Sequence, residues 1–178
     1  MVDFLYSYFN NNTFLESLQN ISDGICEDNE KKYIKFDNFK KPSNCDEITK
    51  GMNSLSSVDS ILINKEKEHI IFVEFKDMQN LTTKDNIKAW LKEKDWSIKV
   101  EIPDSLLLLG YFIKKRGYSF DEYFRIDKSF FYVYKSDSSK QIINNHLKYR
   151  FTKYNFMLKN IKSLECQNYK KFLERNNL

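Results

Sequence analysis

Ser57-Val58-Asp59-Ser60-Ile61-Leu62-Ile63, a polar connector Asn64-Lys65-Glu66-Lys67-Glu68, and His69-Ile70-Ile71-Phe72-Val73-Glu74-Phe75-Lys76 form the stretch on which the fold turns. Residues 58–63 and 70–76 are β-branched or aromatic runs around a short connector, the pattern of a β-hairpin. Both runs are apolar at successive positions, as in central strands covered by helices on each face. Asp59, Glu74 and Lys76 interrupt them. Side chains at i and i+2 of a strand share a face, so Glu74 and Lys76 project together. Antiparallel pairing brings the start of one run beside the end of the other, and so places Asp59 next to them. Charges inside a sheet are costly unless they pair or bind metal.

Outward from the hairpin, residues 3–21 read as a helix. Phe14, Leu15, Leu18 and Ile21 recur at helical spacing, and Thr13 with Glu16 fits a capping box. Asp23-Gly24 ends that pattern, and Tyr33-Ile34-Lys35-Phe36 reads as a strand. Residues 40–57 are polar and irregular, with a helical turn expected over 46–52. Beyond the hairpin, 84–95 is polar and helix-prone around Trp90. After Pro103, Asp104 or Ser105 is expected to cap an apolar helix running to about Arg116 and stopped by Gly117. Residues 130–135 form the next expected strand, and 141–175 read as two helices. The expectation is a single α/β domain over 1–178, a central mixed sheet flanked by helices, with extra C-terminal helices.

Charge is unevenly placed. Residues 141–178 carry Lys148, Arg150, Lys153, Lys159, Lys162, Lys170, Lys171 and Arg175 against Glu165 and Glu174, more than the whole net charge of +4. This basic helical extension reads either as a footprint for phosphate backbones or as a solvated helix face. The three cysteines, Cys26, Cys45 and Cys166, form no CxxC pair, which argues against a zinc finger or ribbon and for reduced thiols in a cytoplasmic protein. No basic stretch precedes an apolar one near the N-terminus, so no secretory leader is expected. The longest apolar run, 106–113, is too short for a bilayer, and no membrane partner is expected. The dense aromatics between Tyr111 and Tyr134, interleaved with Lys and Arg, suit core packing before base stacking.

The chemistry follows from the three interrupting charges. Magnesium takes hard oxygen ligands and commonly one or two carboxylates, which Asp59 and Glu74 supply. Such an ion acidifies water and offsets negative charge growing on a phosphate. Lys76 adds a point charge for orienting or stabilising the reacting groups. Nothing in this device needs a histidine, a thiol or a glycine-rich loop.

An Asp at the head of one strand followed by Glu74-Phe75-Lys76 on its hairpin neighbour resembles the PD-(D/E)XK, or restriction-endonuclease-like, nuclease superfamily. The expected order helix–strand–strand–strand–helix–strand is similar to that superfamily's core and covers residues 10–136, leaving the C-terminal extension outside it. The resemblance implies a metal-dependent nuclease hydrolysing phosphodiesters, in DNA ahead of RNA, with Mg²⁺ or Mn²⁺ on Asp59 and Glu74 and with Lys76 as the third catalytic residue. Many members carry a further Glu on the first helix; Glu16 is the candidate here and Glu47 its rival. Val58 stands where the motif's name has proline. Lys148, Arg150, Lys153 and Lys159 are the candidate nucleic-acid contacts. A homodimer, in which two sites cut two strands, also fits the resemblance. The alternatives are a non-catalytic protein on the same fold, serving defence, immunity or complex assembly, and a bland one in which Asp59 and Lys76 are an ordinary ion pair with Glu74 on an exposed edge.

Overall fold

The computed structural model describes residues 1–11, 14–40, 55–78, 81, 83–135, 142, 143, 145 and 154–178. Its elements are α1 (Val2–Asn10), β1 (Leu15–Ser17), α2 (Leu18–Ile21), β2 (Lys32–Lys35), a 3₁₀ turn (Phe36–Lys40), β3 (Ser60–Asn64), β4 (His69–Asp77), α3 (Lys84–Lys115), α4 (Phe120–Arg125), β5 (Asp127–Lys135), β6 (Asn160–Glu165) and α5 (Cys166–Arg175). The six strands form one mixed sheet in sequence order. β1 to β4 pair antiparallel, and β4, β5 and β6 run parallel.

The hairpin forms as the sequence predicts. Ser60 pairs with Val73 and Asn64 with His69, and the connector is closed by Asn64 Oδ1, which accepts the Lys67 N–H at 2.9 Å. Both faces of β4 are covered. On one side Ile70 and Phe72 pack with Val2, Leu5 and Phe9 of α1 and with Leu106, Leu109 and Phe112 of α3. On the other, Ile71, Val73 and Phe75 pack with Leu18 and Ile21 of α2 and with Tyr169 and Leu173 of α5. The result is three layers, helix–sheet–helix, and most of the aromatic stretch is core: Phe112, Tyr123, Phe130, Phe131, Tyr132 and Tyr134 are all buried.

Four expectations are corrected. The helix expected over 3–21 is three elements, and Glu16 lies in β1, paired in register with Tyr33. Of the residues that recur at helical spacing, only Leu18 and Ile21 lie in a helix, α2, while Leu15 lies in β1 and Phe14 just before it. The two helices expected on either side of Pro103 are one, α3, about 48 Å long at 1.5 Å per residue. Proline lacks the N–H that would reach the Lys99 carbonyl, and the Tyr154 hydroxyl donates to that carbonyl instead, at 3.1 Å. Asp104 and Ser105 cap nothing; their side chains accept the Ser56 and Val58 N–H groups at 2.9 Å each, fastening the segment that enters β3. α3 does end where expected, before Gly117 at φ +92°.

The C-terminal stretch is the third correction: β6 and α5 replace the second expected helix, because Ile161, Ser163 and Glu165 continue the parallel ladder beside Phe130, Tyr132 and Tyr134. The fourth concerns the thiols. Cys26 and Cys166 are joined in a disulfide that ties the loop after α2 to the start of α5. Among the described residues no helix is long and apolar enough to cross a membrane.

Candidate active site

Asp59, Glu74 and Lys76 meet where the hairpin register puts them. The Ser60–Val73 pair sets Asp59 beside Glu74, and two backbone N–H groups tie the strands' carboxylates across the hairpin. The Asp59 N–H donates to Glu74 Oε2 at 3.3 Å, and the Phe75 N–H donates to Asp59 Oδ2 at 2.7 Å. The Phe36 N–H donates to the Asp59 carbonyl at 2.8 Å, holding the strand entry from its other side. Glu74 and Lys76 share a face, and the Lys76 ammonium donates to Glu74 Oε1. Glu74 is only 2% exposed, so the reading that puts it on an exposed edge fails.

The parallel ladder extends this face sideways. Glu74 is in register with Tyr132 of β5, and Tyr132 with Ser163 of β6. Tyr132 is fully buried, and among the described residues its hydroxyl has no hydrogen-bond partner. From the covering layer, α3 contributes Glu101, whose Oε1 lies 3.7 Å from Lys76 Nζ and whose carboxyl also lies within hydrogen-bonding reach of Glu74. Sequence reasoning passed over Glu101. Its signal was of the same kind as that of Asp59, a charge between apolar neighbours, Val100 and Ile102, just ahead of Pro103.

Electrostatics here are dominated by burial. Desolvation pushes the Asp59 carboxyl up to about 7, although the Phe75 N–H and Lys76 pull it down. Burial and the neighbouring Asp59 carboxylate hold Glu74 well above the usual carboxylate range despite Lys76. Burial likewise raises Glu101, against the pull of Lys76. Burial would lower the Lys76 ammonium, but Glu74 and Glu101 outweigh it, and its pKa stands above the ordinary lysine value. Asp37, which accepts the Ser57 hydroxyl, adds a further negative charge felt by Asp59 and Glu101. Among the described residues, Lys76 is the cation that acts on all three carboxylates. The cluster gathers three carboxyl groups around one ammonium, in a place that solvates charge poorly.

Asp59 and Glu74 offer the hard oxygen donors that a magnesium-sized ion takes, and two carboxylates are a sufficient protein share. Three carboxyl groups around one ammonium fit such an ion. As the side chains stand, however, among the described residues no three His, Cys, Asp or Glu side chains are grouped so as to hold a metal. The Lys76 ammonium rests on Glu74 Oε1.

Glu16 is engaged by other groups, with Lys35 Nζ at 3.4 Å and Asn38 Nδ2 at 2.9 Å on its two oxygens. Glu47, Lys148, Arg150 and Lys153 fall outside the described residues. Lys159 is exposed and paired with Asp127. Its N–H donates to the Lys128 carbonyl, so it sits four residues, about 13 Å, down the sheet from the Glu74–Tyr132 row. A cleft of about 350 Å³ opens where β2 splays from β3 and is lined by Tyr33, Ile34, Leu62 and Ile63; no residue of the acidic cluster lines it. Comparison with protein-family models, with curated proteins and with solved structures finds no match to this chain.

Proposed function

We propose that the chain is a metal-dependent phosphodiesterase of the restriction-endonuclease-like kind, acting on nucleic acid, with DNA the favoured substrate. The observation that carries this reading is the convergence of Asp59, at the entry to β3, with Glu74 and Lys76 toward the carboxyl-terminal end of β4, beside its parallel neighbour β5, the end at which open α/β sheets hold their ligands. A hairpin delivering two adjacent carboxylates and a lysine to one point, beside a third carboxyl group, is poorly explained as a stabilising ion pair. Buried charge clusters of this sort usually cost stability and are kept for what they bind.

Asp59 and Glu74 would hold Mg²⁺ or Mn²⁺, which when bound supplies Lewis acidity toward a phosphate and a more acidic attacking water. The chain's own part is positional. The Phe75 N–H fixes the orientation of Asp59 through Oδ2, and the Asp59 N–H fixes Glu74 through Oε2. Lys76, about a fifth exposed, is the side chain of the three that can carry positive charge outward to a phosphate oxygen. A homodimer and a cytoplasmic setting belong to the same reading. So does the basic C-terminal stretch as a phosphate-contacting surface, whose binding would weaken steeply with salt.

The test is cleavage of single-stranded, duplex and branched DNA in Mg²⁺ and in Mn²⁺, with Lys76→Ala in parallel. Cleavage that the variant loses supports the reading. No cleavage by folded wild-type protein on any substrate overturns it. One observation favours a second reading, a non-catalytic interaction protein on the same fold: Lys76 neutralises Glu74 directly, and Glu74 is closed to solvent. That reading predicts tight binding of a protein partner and no cleavage with either metal.

A further inference from the structure

Lys76 has two carboxylates within reach and is engaged fully with one. Its ammonium sits on Glu74 Oε1, while Glu101 Oε1 waits at 3.7 Å. Glu101 projects from α3, 9% exposed, into a face lined largely by apolar side chains, beside Glu74 and Lys76. A buried carboxylate without full compensation costs stability, so its presence calls for a reason. Direct ligation of an ion together with Asp59 and Glu74 is a poor one, since no three-ligand set is grouped among the described residues. Glu101 reaches both Glu74 and the lysine.

We propose that Glu101 is a positioning residue that receives the Lys76 ammonium when a divalent cation takes Glu74, so that Glu74 exchanges one cation for another and Lys76 is kept beside the site. The inference rests on the metal-dependent reading above. The exchange is small. Moving the ammonium from 3.7 Å to the ordinary charge-assisted distance of about 2.8 Å is a shift on the order of 1 Å, within the rotamer freedom of a lysine. No proton is transferred and no bond is made or broken; the ammonium changes carboxylates and stays charged. Two side chains are already in place for the exchanged state. Asp59 remains tied to the Phe75 N–H, so it does not follow the lysine. Tyr132, in register with Glu74 and close enough for both Glu74 and Glu101 to act on its hydroxyl, has a donor to offer whichever carboxylate the ammonium leaves.

Without Glu101 the displaced ammonium would be driven off with no partner, and the ion would have to overcome that cost. Glu101 should therefore strengthen metal binding, and only while Lys76 is present. Lys76 itself should oppose it, as a competing cation.

The experiment is calorimetric titration of Mn²⁺ into the DNA-free protein at one fixed pH, for wild type, Asp59→Asn, Lys76→Met, Glu101→Gln and the Lys76→Met/Glu101→Gln double variant, each shown folded by thermal unfolding. Wild type should bind Mn²⁺, and Asp59→Asn should lose it. Lys76→Met should bind roughly tenfold more tightly and Glu101→Gln roughly tenfold more weakly than wild type. In the Lys76→Met background, adding Glu101→Gln should change affinity by no more than about twofold, a coupling of the size that contacting charged residues show. Equal weakening by Glu101→Gln in both backgrounds would make Glu101 a direct ligand and overturn the exchange. Unchanged or weaker binding in Lys76→Met, which removes charge at a partly exposed site and leaves the fold's apolar contacts intact, would overturn it independently. Absence of Mn²⁺ binding by wild type, or its persistence in Asp59→Asn, would instead sink the metal-dependent reading and the exchange with it.

Discussion

The Tyr154 hydroxyl donates to the Lys99 carbonyl at 3.1 Å, replacing the helical donor that Pro103 lacks. One bond thus lets α3 run unbroken past a proline and pins the segment before β6 onto the helix that carries Glu101. Tyr154→Phe should lower stability by about 1 kcal/mol, the net worth of a typical hydrogen bond. Pro103→Ala should make the same change cheaper, because alanine returns an N–H to that carbonyl. Urea denaturation of both single variants and the double variant measures this coupling, and strict additivity would show that Tyr154 matters for other reasons.

Activity should depend on the hairpin charges in a defined way. Asp59→Ala and Lys76→Ala should each lower Mg²⁺-dependent DNA cleavage at least a hundredfold, the scale expected when one electrostatic catalytic group is removed. Glu16→Gln should leave cleavage within about twofold of wild type, since its carboxylate is engaged by Lys35 and Asn38. Full cleavage by Asp59→Ala would remove the site assignment.

Stability should fall as the solution becomes less acidic. The folded chain holds the Asp59 carboxyl up near 7, above its ordinary value of 3.8, so between those values the folded state binds more protons than the unfolded one. Its stabilising share is complete below about pH 4 and is lost as pH rises through about 7. One such group contributes a slope of at most ~1.4 kcal/mol per pH unit. Glu74 is displaced in the same direction and adds to it. Asp59→Asn should flatten the profile from pH 4 to 7 relative to wild type. On the metal-dependent reading, millimolar Mg²⁺ should restore stability selectively above pH 7, where the carboxylates are charged. Chemical denaturation across pH, with and without Mg²⁺, reads both effects.

Reduction should weaken the fold. The Cys26–Cys166 bond spans 140 residues of sequence, and closing a loop of that length stabilises by up to about 5 kcal/mol in the chain-entropy account. Urea midpoints measured with and without dithiothreitol, and for Cys166→Ser, should show a drop common to the reduced wild type and the variant. An unchanged midpoint would mean that packing of Tyr169 and Leu173 alone holds α5 in place.

The local sequence determined much of the centre. The apolar runs on either side of Asn64–Glu68 specified the hairpin, and the period of two along a strand set Glu74 and Lys76 on one face, because both are properties of a few consecutive residues. The end of α3 before Gly117 was legible for the same reason. What the sequence left open was decided between elements distant along the chain. Pro103 reads as a break until a tyrosine 51 residues later supplies the missing donor. Glu16 reads as part of a helix until pairing with β2 makes it a strand residue. Residues 160–165 read as helix until β5 offers them a parallel edge. Cys26 and Cys166 read as free thiols until α5 brings them together. Glu101 joins the cluster only because α3 crosses the sheet where Lys76 ends its strand. Periodicity reports which face of an element is buried; what that face meets depends on how the layers pack, and only the assembled sheet and its two helical layers decide it.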